Sequence, residues 1–305
     1  MHYDVVVLTD DRYIDPKQKD IYVSNILEED HLVMDALAQL GLKVVRKSWA
    51  DPHFDWSCTK YALFRTTWDY FDRYTEFYEW FKKTSGLTQF INSKQLIDWN
   101  IDKHYLRDLN EQGINIPNTH FIESGDPLSL KEAIEKADKT FGFECKDFVL
   151  KPCISGAARH TYKFNRFNWT QHDAVFKQLI SKESMMLQEF QQNILDEGEI
   201  SLMIFNGEYT HGVLKVAKPG DFRVQDDFGG SVHPYQASEI QIKFAKKVVK
   251  AAPEIPTYAR VDIFRDNGGN WALAELEIFE PELWFRLESS AAQTLAKAIK
   301  HKYFS

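Results

Sequence analysis

Tyr258-Ala259-Arg260-Val261-Asp262-Ile263-Phe264, the turn Asp266-Asn267-Gly268-Gly269-Asn270, and Trp271-Ala272-Leu273-Ala274-Glu275-Leu276-Glu277-Ile278-Phe279 form the stretch that decides the fold. Arg260 and Asp262 alternate with Val261 and Ile263, and Glu275 and Glu277 alternate with Leu276 and Ile278. A period of two sets each polar pair on one face of a strand. The Gly-Gly turn folds one run back on the other, so antiparallel pairing gathers Asp262, Glu275 and Glu277. Three converging carboxylates repel unless a cation neutralises them, and an all-oxygen set suits Mg2+ shared with substrate phosphates. The competing reading is a strand with a solvated acidic face; Arg260, two residues before the first acid, weighs against it.

Working outward, Glu199 to Phe205 and Tyr209 to Val216 flank Asn206-Gly207, a hairpin signal, and helices are predicted near Glu239 to Val249 and at the end of the chain. Further upstream, a helix is predicted over Asp102 to Gln112, a strand over Thr119 to Ile122 and a helix over Leu128 to Ala137. Phe148 to Pro152 is a strand that stops at proline and runs into Ser155-Gly156-Ala157-Ala158-Arg159. Lys151 at that strand end can meet phosphate oxygens as a point charge, and the small residues let backbone amides approach a polyphosphate. Neither GxxxxGK[ST] nor GxGxxG occurs, so the fingerprints of P-loop and dinucleotide folds are missing. The strand Met185 to Phe190 ends in Gln188-Glu189-Phe190, a hinge able to offer backbone groups to an adenine edge, with Glu199 following as a carboxylate for ribose hydroxyls.

Over residues 1–90 the order is strand (Val5 to Leu8), helix (Ile26 to Leu40, ended by Gly41), strand (Leu42 to Val45), strand (Tyr61 to Arg65) and an aromatic-rich helix through Phe81. That order predicts a small parallel α/β domain, whose ligands collect at the carboxyl ends of its strands. Arg65, Thr67 and Trp68 fall there. A guanidinium can hold a carboxylate through two parallel hydrogen bonds, so these three are expected to recognise substrate. The alternative makes Trp68 and Tyr70 core aromatics and Arg65 a surface charge.

The 305 residues are 44% hydrophobic and 27% charged, an ordinary globular balance. With 37 Lys and Arg against 45 Asp and Glu, the net charge of -8 argues against a dedicated nucleic-acid binder. No signal peptide is visible and no apolar run nears the roughly 20 residues of a membrane span. Cys58, Cys145 and Cys153 lack CxxC spacing, so a reducing cytoplasm is expected. No Ser-His-Asp or Cys-His set is evident, and His211 and His233 are assigned no role.

Taken in order, these elements resemble the ATP-grasp superfamily over roughly residues 90 to 290. The resemblance implies α+β lobes that hold ATP between them, preceded by a parallel α/β pre-ATP-grasp domain: residues 1–90, an N-terminal lobe over 91–190 and a C-terminal lobe with the metal site over 191–305. It implies nucleotide-binding roles for Lys103 and Lys151 and a flexible lid over Ser155, Gly156 and Ala157 through Arg159. Gln188, Glu189 and Phe190 resemble the adenine hinge and Glu199 the ribose acid, with Asp196 as a competitor. Asp262, Glu275 and Glu277 match the magnesium ligands, although many relatives carry Asn where Glu277 stands. Arg260 resembles the arginine on the transferred phosphoryl group, and Arg223 with Gly229-Gly230 the basic loop of glutathione-synthetase-like members. Within the superfamily, Arg65 to Tyr70 and Glu275-Leu276-Glu277 with Glu280-Pro281 are most similar to the O-ureido-serine cyclo-ligase group. The implied enzyme is an ADP-forming carboxylate-amine ligase using ATP and two Mg2+ ions, with Mn2+ as a substitute. Its partners are then a small amino-acid-like carboxylate and an amine, with no nucleic acid or membrane, in a chain that can form a homodimer. A non-catalytic nucleotide-binding protein and a phosphotransferase stay open as alternatives.

Overall fold

The computed structural model describes residues 2–143, 147–224 and 229–305, so Cys145 lies outside the described residues. Strands β1 (Tyr3–Thr9), β2 (Val44–Ser48), β3 (Thr59–Thr66) and β4 (Gln89–Ile91) form a parallel sheet in the order β2-β1-β3-β4. Helix α1 (Ile21–Gln39) starts where the Asp20 side chain accepts from Val23 N at 2.8 Å, and the chain leaves it through Gly41 at φ +83°. Helix α2 (Tyr74–Thr84) buries Phe77 and Phe81 against Val6, Leu8 and Phe64.

The helix expected over Asp102 to Gln112 is α4 (Tyr105–Glu111), and a further short helix that was not expected, α3 (Lys94–Asn100), precedes it. The middle sheet is antiparallel, in the order β5-β8-β6-β7, from β5 (Thr119–Ile122), β6 (Asp147–Pro152), β7 (Tyr162–Asn165) and β8 (Met185–Glu189). Helices α5 (Leu130–Phe141) and α6 (Asp173–Ile180) cover one face of it, and Phe148, Leu150, Phe164, Met185 and Leu187 form the core between.

After α7 (Asn193–Glu197) comes a five-stranded antiparallel sheet, β11-β10-β9-β12-β13: β9 (Glu199–Phe205), β10 (Glu208–Val216), β11 (Ser231–Tyr235), β12 (Tyr258–Arg265) and β13 (Trp271–Glu277). Helices α8 (Glu239–Lys250) and α9 (Ser290–Tyr303) complete the chain. Strand β13 is an edge, and side chains occupy its outer row of backbone groups. Asn100 Nδ2 donates to Leu276 O at 2.7 Å, Ile278 N donates to Asn100 Oδ1 at 3.1 Å, and Leu276 N donates to Tyr105 Oη at 3.0 Å. These bonds hold the acidic strand in place and close an edge that would otherwise invite pairing.

Packing crosses the expected domain lines. Leu96, Tyr105, Leu106 and Leu109 of α3 and α4 pack with Ala245, Val248, Val261 and Leu276 of the third sheet's layer. Ala291, Ala292, Leu295, Ala296 and Ile299 of α9 pack with Val5, Val7, Val33 and Leu37 of the first domain.

Candidate active site

The β12/β13 pairing places Arg260 opposite Glu277 and Asp262 opposite Glu275, and a bulge follows because Ile263 pairs with Leu273. Ala274 is the extra residue. The bulge bends β13 where its acids begin, so Glu275 and Glu277 share a face with Arg260 and Asp262. That face lines a cavity of about 580 Å3 between the three sheets.

The acids there are matched by cations. Asp262 is 1% exposed and accepts from Arg260 Nη2 at 2.8 Å, Lys215 Nζ at 3.1 Å and Ser201 Oγ at 2.6 Å. Lys215 also pairs with Glu199, and Arg260 with Glu277. Lys103 Nζ lies 2.7 Å from Glu275 Oε1 and donates to Ser155 O at 2.7 Å. Burial pushes the Asp262 and Glu275 carboxyls up, but Arg260 and Lys215 on the first and Lys103 and Lys151 on the second outweigh it, leaving both below the usual range. Burial wins at Glu277, which is pushed well up despite Arg260, with Glu275 and Asp262 adding to the rise. Burial likewise pushes Glu280 up to about 7 against the opposing pull of Lys103. Lys151 projects from β6 into the same cavity, where burial lowers its ammonium pKa against the pull of Glu275.

The remaining nucleotide candidates line the cavity too. Gln188 donates from Nε2 to Thr119 Oγ1 at 2.8 Å, which orients it in β8. Glu189 and Phe190 follow at the strand end, where Phe190 N donates to Asp147 O at 3.0 Å and Lys163 Nζ sits 3.5 Å from the Phe190 ring centre. Of the two candidate ribose acids, Glu199 faces the cavity and Asp196 is exposed. Arg223 lines the mouth while its guanidinium binds Asp221 at 2.7 Å. In the segment expected to form a lid, Ser155, Gly156 and Ala157 all reach the cavity, and Ala157, Ala158 and His160 have φ near +50°. A Cβ on Gly156 would come within 2.7 Å of the Phe71 ring, so glycine there lets the backbone pass close to that ring.

The substrate candidates divide. Trp68 lines the cavity and donates from Nε1 to Glu280 O at 3.0 Å. Arg65 and Thr67 do not line it, which corrects the expectation that both touch substrate. Arg65 is 1% exposed, donates from Nη1 to Pro281 O at 2.9 Å and faces Glu29 and Asp30 at 3.7 and 3.8 Å. It is turned inward because α1 buries those two acids beneath the end of β3. It therefore pins the 280–284 segment, which carries Glu280, Glu282 and Trp284 into the cavity. His211 bonds Leu283 O at 2.8 Å and packs structurally.

Sequence reasoning missed Lys215, Arg12, Tyr13 and Tyr22, which also line the cavity. The turn at Asn206-Gly207, with Phe205 opposite Glu208, would by itself set Lys215 opposite Gly198; a bulge between Tyr209 and His211 shifts the register and brings Lys215 opposite Glu199, which the sequence does not show. Arg12, Tyr13 and Tyr22 lie between predicted elements and carry no periodicity.

With this geometry in place, the matches to known proteins become specific. Residues 103–278 match the RimK-like ATP-grasp domain, and residues 5–92 match the N-terminal domain of D-cycloserine synthetase DcsG. The chain belongs to the RimK-like ATP-grasp family, and with it to the ATP-dependent ligases that form C–N bonds. It is 25% identical over 283 residues to the cycloserine biosynthesis protein DcsG of Streptomyces lavendulae, covering 88% of this chain and 92% of that protein. The crystal structure of D-cycloserine synthetase DcsG superposes with a TM-score of 0.86 at 23% identity, covering 98% of this chain and 99% of the other. D-alanine–D-alanine ligase from Bacillus anthracis superposes at 0.65 and 14% identity, covering 98% and 96%. Among the described residues no helix is long and apolar enough to cross a membrane.

Proposed function

We propose that the protein uses ATP to phosphorylate the carboxylate of a small amino-acid-like molecule and passes the acyl group to an amine, releasing ADP and phosphate. The observation that carries this reading is one cavity in which Asp262, Glu275 and Glu277 stand among Lys103, Lys151, Lys215 and Arg260. Those carboxylates form an all-oxygen donor set that fits Mg2+, in two ions, with Mn2+ as a substitute. Magnesium, when bound, neutralises phosphate charge and polarises the transferred group.

The chain's own groups do the rest. Lys103, Lys151 and Lys215 hold phosphate oxygens, and Arg260 meets the charge that builds on the transferred group. Each of Lys103, Lys215 and Arg260 has a carboxylate partner within the cavity, so nucleotide binding exchanges one set of ion pairs for another without leaving a buried charge alone. Gln188, Glu189 and Phe190 receive the adenine, Glu199 the ribose, and the Ser155 to Arg159 lid excludes water from the reacting carboxylate. At the far end, Arg12 and Glu282 lie among Tyr13, Tyr22, Trp68 and Trp284, a setting that suits a zwitterion carrying both a carboxylate and an ammonium. The known relatives support that substrate class, since one works in cycloserine biosynthesis and another joins two D-alanines.

ADP release measured across a panel of amino-acid-like carboxylates and amines tests the reading. The expected result is release that needs both partners, with an isotopic label moving from the carboxylate oxygen into phosphate. ADP formed without any amine indicates a phosphotransferase. Tight ATP binding with no ADP from any pair indicates a nucleotide sensor, and either result overturns the ligase.

A further inference from the structure

Flanking Lys103 in the chain, Asp102 and His104, together with Cys153, bring an oxygen, a nitrogen and a sulfur within 4.8 Å of one another. Two segments meet there, because Lys103 N donates to Cys153 O at 2.9 Å. His104 Nδ1 lies 2.6 Å from Asp102 Oδ1, its ring stacks on Phe121 at 4.8 Å, and Nε2 faces Glu123 Oε1 at 3.3 Å. Cys153 is 1% exposed and is a free cysteine.

We propose that these residues form a second cation site, for a borderline transition metal of the Zn2+ class, held by Cys153, His104 and Asp102 and closed by Glu123 or a water. The donor set decides the class. Sulfur, imidazole nitrogen and carboxylate together suit Zn2+, whereas Mg2+ takes oxygen alone. A local structural role accounts for part of the cluster, since His104 N also donates to Asp102 Oδ1 at 3.0 Å and shapes the turn into α4. Cys153 also belongs to the apolar cluster that holds Leu106 and Met186, but apolar packing does not call for its sulfur to lie within 4.8 Å of the ligand atoms of Asp102 and His104. Burial, with Asp102 and then Glu123 adding to it, pushes that thiol up, and a divalent cation reverses the local field. On binding, the Cys153 S–H bond breaks, a sulfur–metal bond forms and the proton leaves to solvent.

The site joins the 102–104 segment to the end of β6, and so ties together the backbones that carry Lys103 and Lys151. It does not depend on which carboxylate or amine the ligase uses.

The test uses the full chain, stripped with chelator and kept in excess Mg2+ so that the oxygen-only acids are occupied. Co2+ is titrated as an optical probe and Zn2+ by calorimetry. One Co2+ per chain with a thiolate-to-cobalt charge-transfer band is expected, and Zn2+ should abolish that band. Cys153→Ser should lose the band and weaken Zn2+ about 10-fold or more. His104→Gln, at a partly exposed position, should weaken Zn2+ similarly in a chain that circular dichroism shows folded, while Cys58→Ser keeps both signals. No charge-transfer band in the parent chain, or Zn2+ affinity unchanged in His104→Gln, overturns the site. If Cys153→Ser does not fold, His104→Gln decides alone.

Discussion

Two buried ionic networks sit within this chain, and they behave as opposites. In the cavity, Arg260, Lys215, Asp262, Glu199 and Glu277 pair with one another, Glu275 pairs with Lys103, and all of them line open volume. In the N-terminal domain, Arg65 and Arg46 meet Asp30, Glu29 meets Arg65 and Arg286, and Thr66 donates to Asp30 at 3.2 Å. Neither Arg65, Glu29 nor Asp30 faces the cavity. Charge at a strand end is thus no guide to function by itself. What distinguishes the two networks is whether the charges border space that a ligand can enter.

The largest effect should come from the open network. Arg260→Met is expected to lower ADP release roughly 100- to 1000-fold, the scale of losing a group aimed at transition-state charge. A steady-state assay at saturating ATP checks this, and near-normal turnover would remove Arg260 from the reaction.

Arg65→Met, in the closed network, should act on stability. Removing one member of a buried ionic set costs about 3–5 kcal/mol, because the partner charges stay buried. Denaturant unfolding should show that loss while calorimetry finds ATP affinity nearly unchanged. Unaltered stability with lost activity would return Arg65 to substrate binding.

Lys151→Met sharpens the contrast from the other direction. Lys151 bears a desolvation cost in the folded protein, so its removal should leave the unfolding midpoint equal or higher. ATP should bind about 10- to 100-fold more weakly, as expected for a lost hydrogen bond to a charged phosphate. A fall in both quantities would place Lys151 among the structural pairs.

The smallest effect is one of pH. Glu280 has its folded pKa raised from 4.5 to about 7. Its contribution to stability is therefore full below pH 4.5 and is lost as pH rises through about 7, because the folded state holds the proton that the unfolded state releases. In magnesium-free buffer, Glu280→Gln should flatten that part of the stability curve. An identical slope in the variant would show that other groups set it.

The hairpin at 258–279 was legible because strict alternation marks the two faces and a Gly-Gly turn marks the reversal of the chain. The bulge at Ala274 was not, since one inserted residue leaves the composition unchanged. Strand β11 was not predicted: Pro234 breaks the usual strand pattern, although an edge strand tolerates proline. Helix α3 has only Leu96 and Ile97 as fully buried apolar residues, too few for a stripe. At the site, cavity positions on regular strands were found, including Lys151, Glu199, Asp262, Glu275 and Glu277. Arg65 misled because the sequence shows a cation at a strand end but not that Glu29 and Asp30 of α1 wait beneath it. Those two acids interrupt an otherwise apolar helical face, the one visible hint of a buried ionic partner.

Helix α9 shares a core with Val33, Ala36 and Leu37 of α1. A ribosome makes residues 290–303 after the rest of that core, so the first domain emerges with an apolar flank and stays uncovered while some two hundred residues are added. A chain that stops before residue 290 leaves that apolar flank bare, and is therefore expected to aggregate and not to form a smaller enzyme.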